Sequence, residues 1–377
     1  MKNSREYLPA LDGIRGIAII LVMLYHFTIP FQLSEHLNII DGLLAAFLQI
    51  GWVGVDLFFV LSGFLITGIL YDTAGKDNYL KNFFVRRFLR IFPLYYLMLF
   101  VLIVFIPNYI PSLASKTDQM VENQFWFWSY LINWRISYLG TFEDIQGGYM
   151  WSLALEEQFY LIWPFFILFF KKKVVSSCFI LLIVFAFLRL VMLLNGVSAT
   201  SIYTMTFTHL DALLAGSIIA VARKEEILKQ RHFKALSILC FVSVFVVLAV
   251  LVFTGKFIFY QKAVAHVGLL SIAIISSYVL IKAVYSEGNK GYLARFFSFG
   301  FIQEFGKLCY GLYLFHHPIG LLVTDKLIAY DAFILFNSYL PCLFVNILVS
   351  MFVSYIFAWL SFKFFESQFL KLKKYFV

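Results

Sequence analysis

Apolar stretches long enough to cross a lipid bilayer recur along the whole sequence. A helix needs about twenty predominantly apolar residues to span the hydrocarbon core. Ten segments approach or meet that length: 8–28, 51–70, 88–106, 151–170, 174–194, 208–222, 233–254, 263–281, 302–324 and 339–362. The expected fold is all-α, a polytopic membrane bundle of about ten transmembrane helices. Of the 377 residues 62% are hydrophobic and only 14% charged, too little charge for a soluble domain. Length alone would allow two soluble domains. The continuous recurrence of spans favours instead one transmembrane domain over 1–377, with no soluble domain fused to it. The sixth span is the shortest. The aromatic but broken segment 124–139 reads as an interfacial helix, because Trp and Tyr favour the headgroup level.

The net charge of +9 follows from topology. With the N-terminus in the cytoplasm, 24 of the 30 Lys and Arg residues fall at cytoplasmic ends. They include Lys2, Arg5, Arg86, Lys171 to Lys173, Arg223, Lys224, Lys290 and Lys373. Five lie in outer loops (Lys116, Arg135, Lys256, Lys262 and Lys326), and Arg189 lies within a span. Cytoplasmic loops collect Lys and Arg, so this split places both termini inside and agrees with an even number of spans. It removes any need for a nucleic-acid partner. The four cysteines are far apart in apolar surroundings, and no pair has metal-ligand spacing; no metal is expected. Arg5-Glu6 and the Asp12/Arg15 pair interrupt the N-terminus, which argues against a cleavable signal peptide.

Ionisable residues inside spans are costly and mark function more often than chance. In the first span Asp12 and Arg15 are one turn apart and able to pair. His26 follows Arg15 by eleven residues, which is about three turns, on the same face and about 16 Å further along the axis. Taken singly, such a histidine is as readily a satisfied helix-end group. The second span offers Asp56, with Gly51, Gly54, Ser62 and Gly63 for close helix contact. Arg87 and Arg90, at i and i+3, suit an anion with several oxygens such as phosphate. They equally suit a cytoplasmic helix end facing lipid headgroups. The fourth span opens with Glu156 and Glu157, the sixth with His209 and Asp211, and the ninth carries His316, His317 and Pro318. The inner half thus holds Arg15, Arg87, Arg90 and Lys307. The outer half holds His26, Asp56, Glu156, His209, Asp211 and His316. An anionic donor docking inside and acid/base groups waiting outside, along one shared path, suggest group transfer across the membrane. The competing reading is a transporter or flippase of a glycan or lipid-linked precursor without covalent chemistry; no matching broken-helix repeats are visible for it.

The stretches LDGIRGIAIILVMLYH, GVDLFFVLSGFLI, RRFLRIFPLYY, WSLALEEQFYLIWP and GLYLFHHP resemble, in order, those of the acyltransferase 3 family of membrane acyltransferases. The resemblance implies O-acylation, acetylation first, of a carbohydrate hydroxyl on O-antigen, exopolysaccharide, peptidoglycan or a related glycan. It implies acetyl-CoA as donor and a bacterial cytoplasmic (inner) membrane location among membrane lipids. Carried over residue by residue, Arg15, Arg87 and Arg90 would bind donor phosphates. His26 would act as general base or acyl carrier, with Glu156 orienting it, and His316 would line the acceptor site. Read from their place in the spans and not from the family, Asp56 is an alternative partner for His26, and Asp211 and His209 would join His316 at the acceptor site. The sequence departs from the family at Tyr149, His209 and Cys309, where His, Arg and Ser are usual.

Overall fold

A computed structural model describes residues 8–32, 38–285, 292–326 and 333–376. Lys2, Arg5, Glu6 and Lys290 of the charge pattern lie outside the described residues. The described residues form helices and turns without a named strand. The longer helices are α1 (Pro9–Gln32), α2 (Gly54–Thr73), α3 (Tyr79–Leu99), α4 (Trp151–Phe170) and α5 (Val174–Leu194). They continue with α6 (Asp211–Lys224), α7 (Gln230–Thr254), α8 (Leu269–Tyr285), α9 (Cys309–Lys326) and α10 (Leu340–Ser361). Among the described residues, 7 helical stretches are long and apolar enough to cross a membrane. The chain is an integral membrane helix bundle. Its outward faces are apolar: Phe179, Ile183 and Phe187 on α5 and Phe241, Phe245 and Phe253 on α7 are all exposed. Lipid replaces water there, so burying these side chains against protein gains little.

Glycines bring the central helices to backbone contact. A Cβ on Gly63 of α2 would stand 2.0 Å from the Leu213 carbonyl oxygen of α6, and one on Gly216 would stand 1.9 Å from the Val60 carbonyl oxygen. The expected packing of Gly51 and Gly54 is against α1, at the carbonyl oxygens of Leu21 and Ala18. Ser62 is buried and bonds to the hydroxyl of Tyr160.

The structure departs from the expected segments in four places. Helix α3 begins at Tyr79, well before 88, so Arg86, Arg87 and Arg90 stand on its third and fourth turns. The span at 302–324 is broken at Leu308 into Gly300–Lys307 and α9. The segment 124–139 forms two short helices, Gln124–Trp128 and Ile132–Leu139, because Tyr130 adopts a positive φ of 55 between them. Its inner residues Ile132, Asn133 and Ile136 are fully buried, so it packs into the bundle and does not lie flat on it. Finally, the helix Ile39–Gln49 was not anticipated. It exposes Ile39, Leu43 and Phe47 and ties Asp41 to the Ser338 hydroxyl and the Tyr339 amide at the start of α10.

One end of the bundle gathers charges that the sequence pattern is expected to place at the cytoplasmic side. Lys224 of α6 pairs with Asp72 of α2, and Lys171 reaches the Ala74 carbonyl oxygen at 3.4 Å. Arg86 donates to the Phe376 carbonyl oxygen at 3.2 Å.

Candidate functional site

At that charged end a cavity of about 1360 Å³ opens into the bundle between α1, α2, α3, α4, α6 and α9. Its size exceeds the roughly 300–1,000 Å³ of ordinary ligand pockets and suits an extended ligand. Arg15, Arg86, Arg87 and Arg90 line it, with Lys76, Arg223, Lys224 and Lys373. Arg15 is held by Asp12 at 2.5 Å, the intrahelical pair expected from their spacing. Ser152, Glu156 and Tyr160 recur every four residues on one face of α4, as the 3.6-residue turn dictates, and all three face this cavity. Ser62 bonds to the Tyr160 hydroxyl, which in turn donates to Glu156. The Arg87 guanidinium lies over the Tyr160 ring at 5.3 Å from its centroid and beside the Phe83 ring at 5.9 Å.

A second, smaller pocket of about 180 Å³ lies beyond it, walled by Tyr25, His26, Trp52, Tyr149, Trp151, Tyr203, Phe259 and His317. Val55 lines both spaces, so they abut at the start of α2. Arg15 and His26 therefore face successive compartments from one helix, about 16 Å apart along its axis.

The hydrogen bonds around His26 fix its tautomer. His316 is fully buried, and its Nδ1 faces the carbonyl oxygens of Tyr313 at 2.7 Å and Leu312 at 3.1 Å, so that nitrogen carries the proton. Its Nε2 is then an acceptor, 3.1 Å from His26 Nδ1. His26 Nδ1 also faces the Val22 carbonyl oxygen at 2.9 Å. The His26 proton belongs on Nδ1, and Nε2 keeps a free lone pair. Tyr149 stacks on His317 at 4.7 Å and donates its hydroxyl to the Leu314 carbonyl oxygen. Among the described residues, no group of three His, Cys, Asp or Glu side chains is placed to hold a metal ion.

The other sequence-selected residues lie elsewhere. Glu156, grouped by the sequence with the outer residues, lines the inner cavity, because the face carrying Ser152 and Tyr160 carries it too. Asp56 does not reach His26. It is buried against His209, whose Nε2 lies 3.0 Å from its carboxylate while Nδ1 lies 2.6 Å from the Tyr203 carbonyl oxygen. Both ring nitrogens of His209 are engaged by these contacts, so neither is free to meet a substrate. Asp211 is paired with Arg189 of α5 at 2.7 Å, with both side chains fully buried. Asp56, His209 and Asp211 line neither cavity. Lys307 pairs with Glu304 at 3.4 Å and also stands outside the inner cavity. His316 reaches His26 directly but is walled off from both spaces. Sequence reasoning singled out His317 without giving it a role, passed over Tyr160 and the outer aromatic wall, and counted Arg86, Arg223, Lys224 and Lys373 as topology only.

A cation-lined chamber and a histidine pocket set end to end in a membrane helix bundle define the class: a polytopic membrane protein with an internal anion-suited site. The family model described as an acyltransferase domain matches residues 8–359, and the chain belongs to that family, acyltransferase 3. It is 32% identical over 346 residues to the "Peptidoglycan O-acetyltransferase OatA" of Listeria monocytogenes, covering 86% of this chain and 51% of that protein. To the "O-acetyltransferase OatA" of Staphylococcus aureus it is 31% identical, covering 85% and 52%. The "Putative peptidoglycan O-acetyltransferase YrhL" of Bacillus subtilis is 28% identical, covering 85% and 50%. The chain spans about half the length of these curated relatives. No solved structure matches it.

Proposed function

We propose that this chain moves an acetyl group from acetyl-CoA, bound on the cytoplasmic side, to a hydroxyl of a glycan on the other side of a bacterial cytoplasmic membrane. The observation that carries this reading is the junction at Val55: Arg15, Arg87 and Arg90 share the cavity on one side of it, and His26 lines the pocket on the other. The donor's phosphates lie against the guanidiniums, which suit phosphate oxygens geometrically and electrostatically. The pantetheine arm runs past Glu156 and Ser152 and brings the thioester to the junction. The outer pocket accepts one sugar ring against its Trp and Tyr walls, where an apolar ring face and a polar rim are both accommodated. Two of the relatives are named for peptidoglycan, which makes a peptidoglycan hydroxyl the first acceptor to test.

In the transfer step His26 Nε2 takes the hydroxyl proton as the oxygen attacks the thioester carbonyl. The carbon–oxygen bond forms, the carbon–sulfur bond breaks, and the departing CoA thiolate takes the proton from Nε2. His316 and the Val22 carbonyl hold the imidazole in the tautomer this step needs. The topology that goes with it has ten spans, both termini inside and one transmembrane domain over the chain. In it α4 and α5 count as two spans turning at Lys171–Lys173, and the short α6 and α9 count as one each.

Membranes carrying the protein, given radiolabelled acetyl-CoA and a peptidoglycan-strand acceptor, should place label in an ester on the glycan. The His26→Ala protein should accumulate equally in the membrane and leave the glycan unlabelled. Glycan labelling at the wild-type rate by His26→Ala removes His26 from the chemistry. Passage of glycan across the membrane without ester formation would speak for transport instead.

A further inference from the structure

The cations of the inner cavity fall into two kinds. Arg15 has Asp12 and Lys224 has Asp72 as ion-pair partners. Lys76, Arg86, Arg87, Arg90, Arg223 and Lys373 have none within ion-pair distance among the described residues, and of these Arg86, Arg87, Arg90 and Lys373 cluster where the last segment packs on α3. Lys373 comes from the turn Leu372–Tyr375, which packs on α3 together with the segments Phe362–Glu366 and Ser367–Lys371. The Arg86 bond to the Phe376 carbonyl oxygen fastens this segment to α3, and the charges acting on Lys373 are Arg90, Arg87 and Arg86. These four crowded cations have Glu156, Glu157 and Glu366 in their neighbourhood but none in ion-pair contact; they repel one another, and a multiply charged anion relieves that repulsion.

We propose that Lys373 is a further cation of the donor's phosphate site, beside Arg86, Arg87 and Arg90, contributed by a segment beyond the residues 8–359 that match the family. This rests on the donor reading given above and sharpens it: four unpaired cations fit a donor with several phosphate groups, as coenzyme A has, better than the single phosphate of a carrier-bound phosphopantetheine. A lysine is suited to the role because its ammonium is a flexible point charge that follows a phosphate, whereas the three arginines are fixed forks.

Titration calorimetry with coenzyme A on the purified full chain in detergent tests it, with thermal melting of each unliganded protein alongside. Lys373→Met should bind coenzyme A about tenfold more weakly or worse, the worth of one charge-assisted hydrogen bond. Lys373→Arg should stay within about threefold of wild type, and all three proteins should melt alike. Wild-type affinity in Lys373→Met overturns the assignment of Lys373 and leaves the donor reading standing. Weak binding that Arg does not rescue, with a lowered melting temperature, makes the residue structural and also overturns it. A wild-type protein that does not bind coenzyme A brings down the donor reading and this assignment together.

Discussion

Replacing His316 by alanine separates a residue that positions the base from the base itself. His316 Nε2 accepts from His26 Nδ1 at 3.1 Å, and the Val22 carbonyl oxygen offers that same proton a second acceptor at 2.9 Å. Deleting the imidazole therefore removes one of two neutral hydrogen bonds and leaves the tautomer partly specified. One such bond is worth about 0.5–1.5 kcal/mol, which corresponds to about a 2- to 13-fold loss in rate. Removing His26 removes the proton acceptor and should cost about 100- to 10,000-fold. The assay is kcat for transfer from labelled acetyl-CoA at saturating donor, per molecule of protein that elutes as a single species in detergent. His316→Gln keeps an acceptor atom and should recover part of the loss. A His316→Ala rate as low as that of His26→Ala would mean that His316 touches the reacting atoms, and a rate equal to wild type would mean that its bond does not hold the tautomer.

Arg189→Met leaves the carboxylate of Asp211 buried without its cation and should destabilise the protein by about 3–5 kcal/mol, while the double variant Arg189→Met/Asp211→Leu should recover most of that in a thermal melt. Gly63→Val drives a side chain into the Leu213 carbonyl oxygen and should cost at least about 1–3 kcal/mol, read as a lower melting temperature and less monodisperse protein. Asp56→Asn should lower the melting temperature yet keep transfer per folded molecule within about threefold of wild type, because Asp56 serves His209 and lines neither cavity; a loss of about 100-fold or more would return it to the chemistry.

What was legible in the sequence was what a single helix carries. The lengths of the apolar runs, the Asp12–Arg15 pair, the shared face of Arg15 and His26, and the i, i+3 arginines all follow from 3.6 residues per turn. What was not legible is which helix faces meet. Asp56 is 153 positions from His209, and nothing local says that it pairs there and not with His26. Arg189 showed only as an oddity in an apolar span, with no sign that Asp211 would be its partner. Glu156 was misplaced because the sequence of α4 alone does not say which cavity its Ser152, Glu156 and Tyr160 face meets. The positive-inside pattern hid a second meaning, since Arg86, Arg223, Lys224 and Lys373 belong to that pattern and also line the inner cavity. Tyr130 broke the expected aromatic helix through a backbone conformation that a non-glycine residue seldom adopts.

The central claim is that donor and acceptor meet at Val55 from opposite sides. A structure of the protein trapped with a non-hydrolysable acetyl-CoA analogue tests it most directly. The account predicts phosphate density against Arg87 and Arg90, the arm running past Glu156, and the acyl carbon at the Val55 junction within reach of His26 Nε2. Phosphates bound outside the inner cavity, or an arm that leads away from His26, would contradict it.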